Sequence, residues 1–149
     1  MPATLADIPL LCGLLDLLFT QEAEFQPDRA AQQRGLESII GQPGLGQILV
    51  ARQLDEVVGM VNLLYTVSTA LGGRVALLED MVIVPRVRGQ GVGTALLEAA
   101  LAHASQQACL RITLLTDADN HAAQAFYRKH GFVHSSMTPM RWEARMRPA

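Results

Sequence analysis

Cysteine is scarce in this chain, which has only two, Cys12 and Cys109, among 149 residues. Neither belongs to a Cys-x-x-Cys pair or to a cluster of cysteine and histidine, so the sequence predicts no structural zinc and no other metal site. Both lie in apolar segments, where a free cysteine packs as a small hydrophobic residue. We therefore expect both thiols to be reduced core residues.

Charge is also limited. Only 17% of the residues are charged, and the formal net charge is −2. A general nucleic-acid binder would show a basic face, so this class of protein is excluded, whereas a slightly acidic chain is compatible with a cationic substrate. Half of the residues are hydrophobic, which is typical of a globular protein rather than a disordered one.

Long hydrophobic runs are missing as well. The apolar run Leu10–Phe19 is too short to span a membrane and contains Asp16. No basic segment precedes it, which argues against a secretory signal peptide. No repeat, linker or low-complexity segment interrupts the chain. We therefore expect a single domain over residues 1–149, a cytoplasmic location, and neither a membrane nor a nucleic acid as partner.

The most informative segment present is the glycine-rich turn at residues 84–94. An apolar run ends at Val84, a basic turn follows, and an amphipathic helix begins near Val92. Backbone N–H groups at such a helix N-terminus bind anions, pyrophosphate in particular, and glycines let the ligand approach closely. The simpler interpretation is a tight strand-to-helix turn. The residues expected to bind a phosphate group are Arg88, Gly89, Gln90, Gly91, Val92, Gly93 and Thr94.

The spacing of the glycines excludes two common phosphate loops. A Walker A loop requires Gly-Lys-Ser/Thr after four residues, and the dinucleotide fingerprint requires a third glycine where Thr94 or Leu96 stands. Arg-x-x-Gly-x-Gly does fit, on Arg88, Gly91 and Gly93. This segment resembles the coenzyme A pyrophosphate loop of the GNAT-superfamily N-acetyltransferases.

A second segment strengthens this resemblance. Residues 119–132 are similar to the Asn-x-x-Ala-x-x-Phe-Tyr-x-x-x-Gly-Phe signature of the same superfamily, with Asn120, Tyr127 and Gly131 at the matching positions. Two independent motifs in the right order, about 30 residues apart, rarely coincide by chance. The resemblance covers residues 57–132 well and the first half of the chain only in outline.

The resemblance implies how a donor would be bound. Acetyl-coenzyme A would be the co-substrate, and the strand before the turn would pair with its pantetheine arm through main-chain groups of Met81, Val82 and Ile83. A backbone N–H among these residues would polarise the acetyl carbonyl. Asn120 would bind the coenzyme arm or a water, and it is also a good helix N-cap. An ordinary core strand is the alternative interpretation of residues 81–83.

The resemblance also implies a general acid, Tyr127, whose hydroxyl would protonate the leaving thiolate. Its alternative role is core packing beside Phe126. For the base we favour Glu79 over Asp80, because the side chains of neighbouring strand residues point to opposite faces. A β-bulge would exchange the two roles, and an ordered water could replace both.

The implied activity is acetyl transfer from acetyl-coenzyme A to a primary amine, directly, within a ternary complex. The alternative is a non-catalytic acyl-coenzyme A binding or sensing module on the same fold. The amine partner can be a small molecule or a protein, and a homodimer is left open. Glu22, Glu24 and Asp28 lie where the superfamily shapes its acceptor pocket, although a solvated loop also explains them.

Hydrophobic periodicity predicts an α+β fold. We expect a mixed, mostly antiparallel sheet flanked by helices, with a central splayed pair of parallel strands, and only a short strand or none before the first helix. The helix that begins at Val92 should face inward with Val92, Ala95, Leu96 and Ala99, and His103 should point outward. Residues 132–133 and 140–146 should form closing strands. The predicted helices are residues 4–20, 29–40, 92–107 and 120–130, and the other predicted strands are residues 47–53, 57–67, 74–84 and 111–116.

Overall fold

The computed structural model describes residues 1–21 and 27–144. The chain divides into two compact units, residues 1–115 and residues 116–149, and each unit is described by itself. The expectation of a single domain over residues 1–149 stays a prediction.

The first unit is built on a four-stranded sheet whose strands lie side by side in chain order. The strands are β1 (Gly46–Gln53), β2 (Glu56–Ser68), β3 (Gly73–Ile83) and β4 (Ile112–Leu114). The pairs β1–β2 and β2–β3 are antiparallel, whereas β3–β4 is parallel. This arrangement confirms the expected mixed, mostly antiparallel sheet with one parallel pair.

Four α-helices accompany the strands in the described residues: α1 (Ile8–Gln21), α2 (Arg29–Ile40), α3 (Val92–Gln106) and, in the second unit, α4 (His121–Lys129). Helix α3 connects β3 to β4, because two parallel strands need a crossover connection. A search of the described residues finds no helix with the length and apolarity needed to cross a bilayer.

The first three residues add a short extended segment to the edge of β1. Pro2 forms an isolated antiparallel bridge with Leu49, and the Ala3 N–H donates to the Ile48 carbonyl at 2.8 Å. The strand segment before α1 is therefore very short in the described residues.

A buried apolar cluster joins α1 and α2 to one face of the sheet. Helix α3 also packs on the sheet, but not with the side predicted for it. Ala95 and Ala99 are exposed, so their predicted inward orientation is wrong. Alanine is a weak marker of a buried face, and the larger Leu97 takes the core position instead. The buried residues of α3 are Leu96, Leu97, Ala100 and Ala104.

His103 is half-buried, and the prediction that it points outward is wrong. One of its ring nitrogens, Nε2, lies 2.8 Å from the Tyr65 hydroxyl on β2. Burial lowers the pKa of His103 and raises the pKa of Tyr65. This pair fixes the C-terminal part of α3 on the sheet.

The closing strands predicted at residues 132–133 and 140–146 are wrong as far as the structure describes them, because residues 132–144 contain no strand. Met140 and Trp142 are almost fully exposed. Pro139 cannot donate to a strand ladder, and Val133 and Thr138 are the only β-branched residues of the segment, so its intrinsic strand preference is weak. Residues 145 and 146 lie outside the described residues.

Candidate functional site

A β-bulge interrupts β3 at the two adjacent carboxylates. Met60 of β2 faces Val82, and Asn62 faces Glu79, so β3 carries one residue more than β2 between these pairs. Asp80 takes up the extra length with a backbone φ of +55°. This left-handed conformation is uncommon for any residue other than glycine, and it concentrates at functional sites.

Asp80 is half-buried at this bulge. Burial is the main cause that raises its pKa to about 6, and the nearby charge of Glu79 raises it further. A hydrogen bond from Asn62 acts in the opposite direction. A carboxylate with a pKa close to neutrality is well matched to accept a proton from a substrate and to release it afterwards.

Glu79 has a different environment, because its side chain is exposed. Glu79 was favoured as the base because the side chains of a regular strand point to alternate faces, and the bulge interrupts this alternation. The structure therefore favours Asp80, the alternative expected for a bulged strand. The role of Glu79 as base stays a prediction that no contact in the described residues supports.

Sequence reasoning missed Asn62. Its side chain is only 2% exposed, and its Nδ2 donates to Oδ2 of Asp80 at 3.4 Å, a long hydrogen bond. Its Oδ1 is buried and has no partner among the described residues. Leaving such an atom unpaired costs on the order of 1–3 kcal/mol. The signal available in the sequence was a single amide within the apolar run of β2.

Within the described residues of the first unit, one edge of β3 has no partner strand next to the bulge. Strand β4 pairs with β3 only as far as Leu78, which faces Leu114. Beyond that point, the main chain from Glu79 to Ile83 pairs only with β2 within the first unit. The resemblance implied a parallel pair that separates here, and the pairing of β3 with β4 does end at Leu78.

Main-chain direction distinguishes the three residues expected to meet a coenzyme arm. The Val84 N–H donates to the Val58 carbonyl of β2 at 2.9 Å. Because main-chain groups alternate along the regular part of a strand, Val82 also faces β2, whereas Ile83 directs its groups to the other edge. Met81 lies within the bulge, where this alternation does not apply. The side chain of Val82 is buried in the core, so its part in coenzyme binding has less support than that of Ile83.

The glycine-rich turn has open space beside it. Gly89 and Gly91 have φ of +79° and +83°, and a Cβ added to either would meet no other atom within 4 Å. The first hydrogen bond of α3 runs from the Ala95 N–H to the Gly91 carbonyl. The N–H groups of residues 92–94 therefore precede the helical ladder. These donors at the positive end of the helix dipole suit a pyrophosphate.

Two arginines flank this turn and differ in their contacts. The Arg88 Nε donates to the Ile83 carbonyl at 3.2 Å, which ties the turn to the end of β3 and leaves the rest of an exposed guanidinium for an anion. Arg86 is instead paired with Glu56 of β2. Gln90 is exposed, while Val92, Gly93 and Thr94 are half-buried at the start of α3.

The second unit holds Asn120 and Tyr127. The Asn120 Oδ1 accepts from the Ala123 N–H at 3.1 Å and so caps α4, which confirms the simpler of its two expected roles. The ring of Tyr127 lies 5.4 Å from that of Phe126 and 5.6 Å from that of Phe132, both edge to face. Burial raises the pKa of Tyr127 to about 12. Its phenol is therefore protonated near neutral pH and able to donate.

Other candidate groups contribute less. Asp28 caps α2 by accepting from the Ala31 N–H at 3.2 Å, while Glu22 and Glu24 lie outside the described residues. Among residues 1–21 and 27–144, no three His, Cys, Asp or Glu side chains lie together in a way that could hold a metal ion.

Comparison with known proteins finds a matching family. The sequence profile of the acetyltransferase (GNAT) family matches residues 12–132. An uncharacterised N-acetyltransferase of Bacillus subtilis strain 168, YhfO, is 31% identical over 118 residues, which are 77% of this chain and 78% of that protein.

Solved structures share the fold. A protein of Agrobacterium tumefaciens strain C58, named as an acetyltransferase, has a TM-score of 0.81 at 26% identity, over 96% of this chain and 98% of its own. A protein of Clostridium acetobutylicum solved with acetyl-CoA has a TM-score of 0.78 at 18% identity, over 95% of this chain and 93% of its own. The second likeness concerns the fold alone.

Proposed function

Because the chain belongs to the acetyltransferase (GNAT) family, we propose that it is an N-acetyltransferase that moves an acetyl group from acetyl-coenzyme A directly to a primary amine. The observation that carries this proposal is the bulge of β3, where a carboxyl with a raised pKa lies next to an unpaired strand edge. The edge ends in an open glycine-rich turn. Binding groups and a base thus occur together in the first unit.

The donor is held by main-chain groups and one arginine. The N–H groups of residues 89–94 and the guanidinium of Arg88 bind the pyrophosphate, and Met81 and Ile83 pair with the pantetheine arm in the manner of an added strand. Acetyl-coenzyme A supplies an acetyl group activated as a thioester. The N–H of Met81 or Ile83 donates to the acetyl oxygen as negative charge develops there.

The transfer itself needs two proton movements. Asp80 takes one proton from the protonated amine, whose nitrogen then forms a bond to the acetyl carbon. The carbon–sulfur bond breaks, and the leaving thiolate receives a proton from Tyr127, the donor implied by its sequence motif. The nitrogen loses its second proton as the amide forms, which restores the tyrosine hydroxyl, and Asp80 releases its proton to solvent.

The same family fold can also serve a non-catalytic module that only binds acyl-coenzyme A. Such a module would need the turn and the strand edge, but it would have no use for a half-buried carboxylate held in a left-handed backbone conformation. The bulge at Asp80 therefore supports the enzyme over the binding module.

The decisive experiment is a thiol-release screen with purified protein, acetyl-coenzyme A and amines of several classes: small amines, aminoglycosides, amino acids and peptides with a free N-terminus. The enzyme releases coenzyme A only when an accepted amine is present. Binding of acetyl-coenzyme A in calorimetry, without release for any amine class, would instead identify a binding module.

The kinetic pattern tests direct transfer. A ternary complex gives intersecting lines in double-reciprocal plots of rate against both substrates, whereas parallel lines would indicate an acetylated enzyme and contradict the proposal. We further propose a cytoplasmic enzyme whose acceptor is a small-molecule or protein amine. Sedimentation measurements at several concentrations test whether it forms a homodimer.

We expect Gly91→Val to weaken the binding of acetyl-coenzyme A by about tenfold. Its Cβ and methyl groups would occupy the open side of the turn, where the pyrophosphate must approach the backbone. Calorimetric titration measures the effect. Gly72→Val is the matched control, because Gly72 also has a positive φ and open space, but lies in the β2–β3 hairpin. Equal affinity in the two variants would remove the turn from the site.

A further inference from the structure

The buried amide of Asn62 has an arrangement that packing does not explain. It stands in the run from Val57 to Leu63, which is buried throughout. Its one hydrogen bond goes to the Asp80 carboxylate, and its Oδ1 remains without a partner among the described residues. An apolar residue of similar volume would fill the same place without an unpaired oxygen.

We infer that Asn62 is a positioning residue that serves Asp80 in both protonation states. When Asp80 is ionised, the Asn62 Nδ2–H donates to its Oδ2. When Asp80 has taken up a proton, the amide turns about its last side-chain bond and Oδ1 accepts the new O–H. The proton stays on Asp80, no bond other than these hydrogen bonds changes, and the unpaired Oδ1 acquires its function.

The chemistry of the two groups fits this exchange. An asparagine amide carries a donor and an acceptor at nearly equivalent positions, so a half-turn replaces one with the other. A carboxyl group donates only when protonated. Leucine offers neither group, and aspartate would offer only acceptors while adding a second charge.

Few charged groups in the described residues influence the titration of Asp80. Glu79 is the charged group whose field acts on it. On α1, which packs against β3, Asp16 pairs with Arg29. Burial is the main cause that raises the pKa of the Cys12 thiol on the same helix. On the other neighbouring elements, Glu56 of β2 pairs with Arg86, His103 of α3 contacts Tyr65, and Glu98 of α3 is exposed.

The test is a carbon-13 titration of the Asp80 carboxyl, without coenzyme, in the wild type and in Asn62→Leu. Leucine removes both hydrogen bonds, and the bond to the charged carboxylate is the stronger of the two. The loss therefore weighs more on the ionised form, and the midpoint should rise by about half a pH unit. Met60→Leu is the matched control, since Met60 is fully buried two residues away and this change conserves volume. An unchanged midpoint in Asn62→Leu overturns the inference.

The wild type supplies a second readout that needs no variant. The side-chain amide resonances of Asn62 should shift with the same midpoint as Asp80, because the amide changes its partner as Asp80 is protonated. Resonances that stay constant through this titration contradict the inference even if Asn62→Leu does not fold.

The catalytic consequence rests on the proposed function, and the two can fail separately. If Asp80 is the base, the acidic limb of the rate profile moves upward in Asn62→Leu together with the carboxyl titration. If the midpoint of the Asp80 titration changes but the acidic limb of the pH–rate profile does not, the role of Asn62 stands and Asp80 is not the base.

Discussion

Asp80→Asn is expected to lower kcat/KM by about 10³-fold at neutral pH, within the usual range for loss of a general base. Asparagine keeps the shape of the side chain and tolerates a positive φ better than most residues, so the bulge should persist. Its amide cannot accept a proton from the amine. Steady-state kinetics with an amine identified in the thiol-release screen measures the loss.

The dependence of the rate on pH provides a second test of Asp80 as the base. Burial raises the pKa of Asp80 to about 6, so the ionised base disappears as the pH falls through 6, and the wild-type rate should fall with it. Asp80→Asn should abolish that limb, whereas Glu79→Gln, the matched control on the adjacent exposed carboxylate, should preserve it. The reverse result, a silent Asp80 and a sensitive Glu79, would restore the alternation argument for Glu79.

Stability provides an independent check on the same variant. The pKa of Asp80 in the folded state lies above its ordinary value of 3.8, so the folded state binds a proton more tightly than the unfolded state. Above pH 6 the buried charge therefore costs free energy, and asparagine removes that cost. Thermal unfolding at pH 7 should show a Tm of Asp80→Asn at or above the wild-type value.

Tyr127→Phe is expected to reduce kcat by about 10²-fold while leaving the affinity for acetyl-coenzyme A unchanged. With a pKa of about 12 the phenol remains protonated near neutral pH, so it can donate a proton to a leaving thiolate. The phenylalanine ring should retain the edge-to-face contacts with Phe126 and Phe132. Single-turnover kinetics and calorimetry separate the two quantities.

Tyr65→Phe is the matched control for this experiment, because Tyr65 is the other tyrosine of the chain and its hydroxyl contacts His103 on α3. It should leave turnover within a few-fold of the wild type. A Tyr127→Phe enzyme that turns over at the wild-type rate would show that the thiolate takes its proton from another source, such as water.

Local signals in the sequence predicted much of this fold. Helix α2 begins at Arg29 and ends at Ile40 as predicted, since Asp28 caps it and Gly41 follows it. The turn at residues 84–94 was predicted because glycines are common where the backbone has a positive φ, which other residues rarely adopt. Gly89 and Gly91 do have positive φ.

The bulge at Asp80 could not be predicted in this way. A bulge depends on the register between two strands, and residues 74–83 of β3 include no glycine or proline that would mark the extra residue at Asp80. The contact between Asn62 and Asp80 joins residues 18 positions apart in the chain. Strand pairing is also a long-range property that local sequence does not show. The apolar residues at 132–133 therefore predicted a strand, although none forms there.

The unpaired edge of β3 has a consequence for the behaviour of the protein in concentrated solution. A strand edge with free N–H and C=O groups is a template for any other extended chain, and it invites aggregation. Charged side chains and local bulges are the means by which natural sheets resist such pairing. Glu79 and the bulge at Asp80 lie at the start of this edge, where they disfavour pairing with a strand of another protein molecule. The main-chain groups beyond them can still bind a narrow extended ligand.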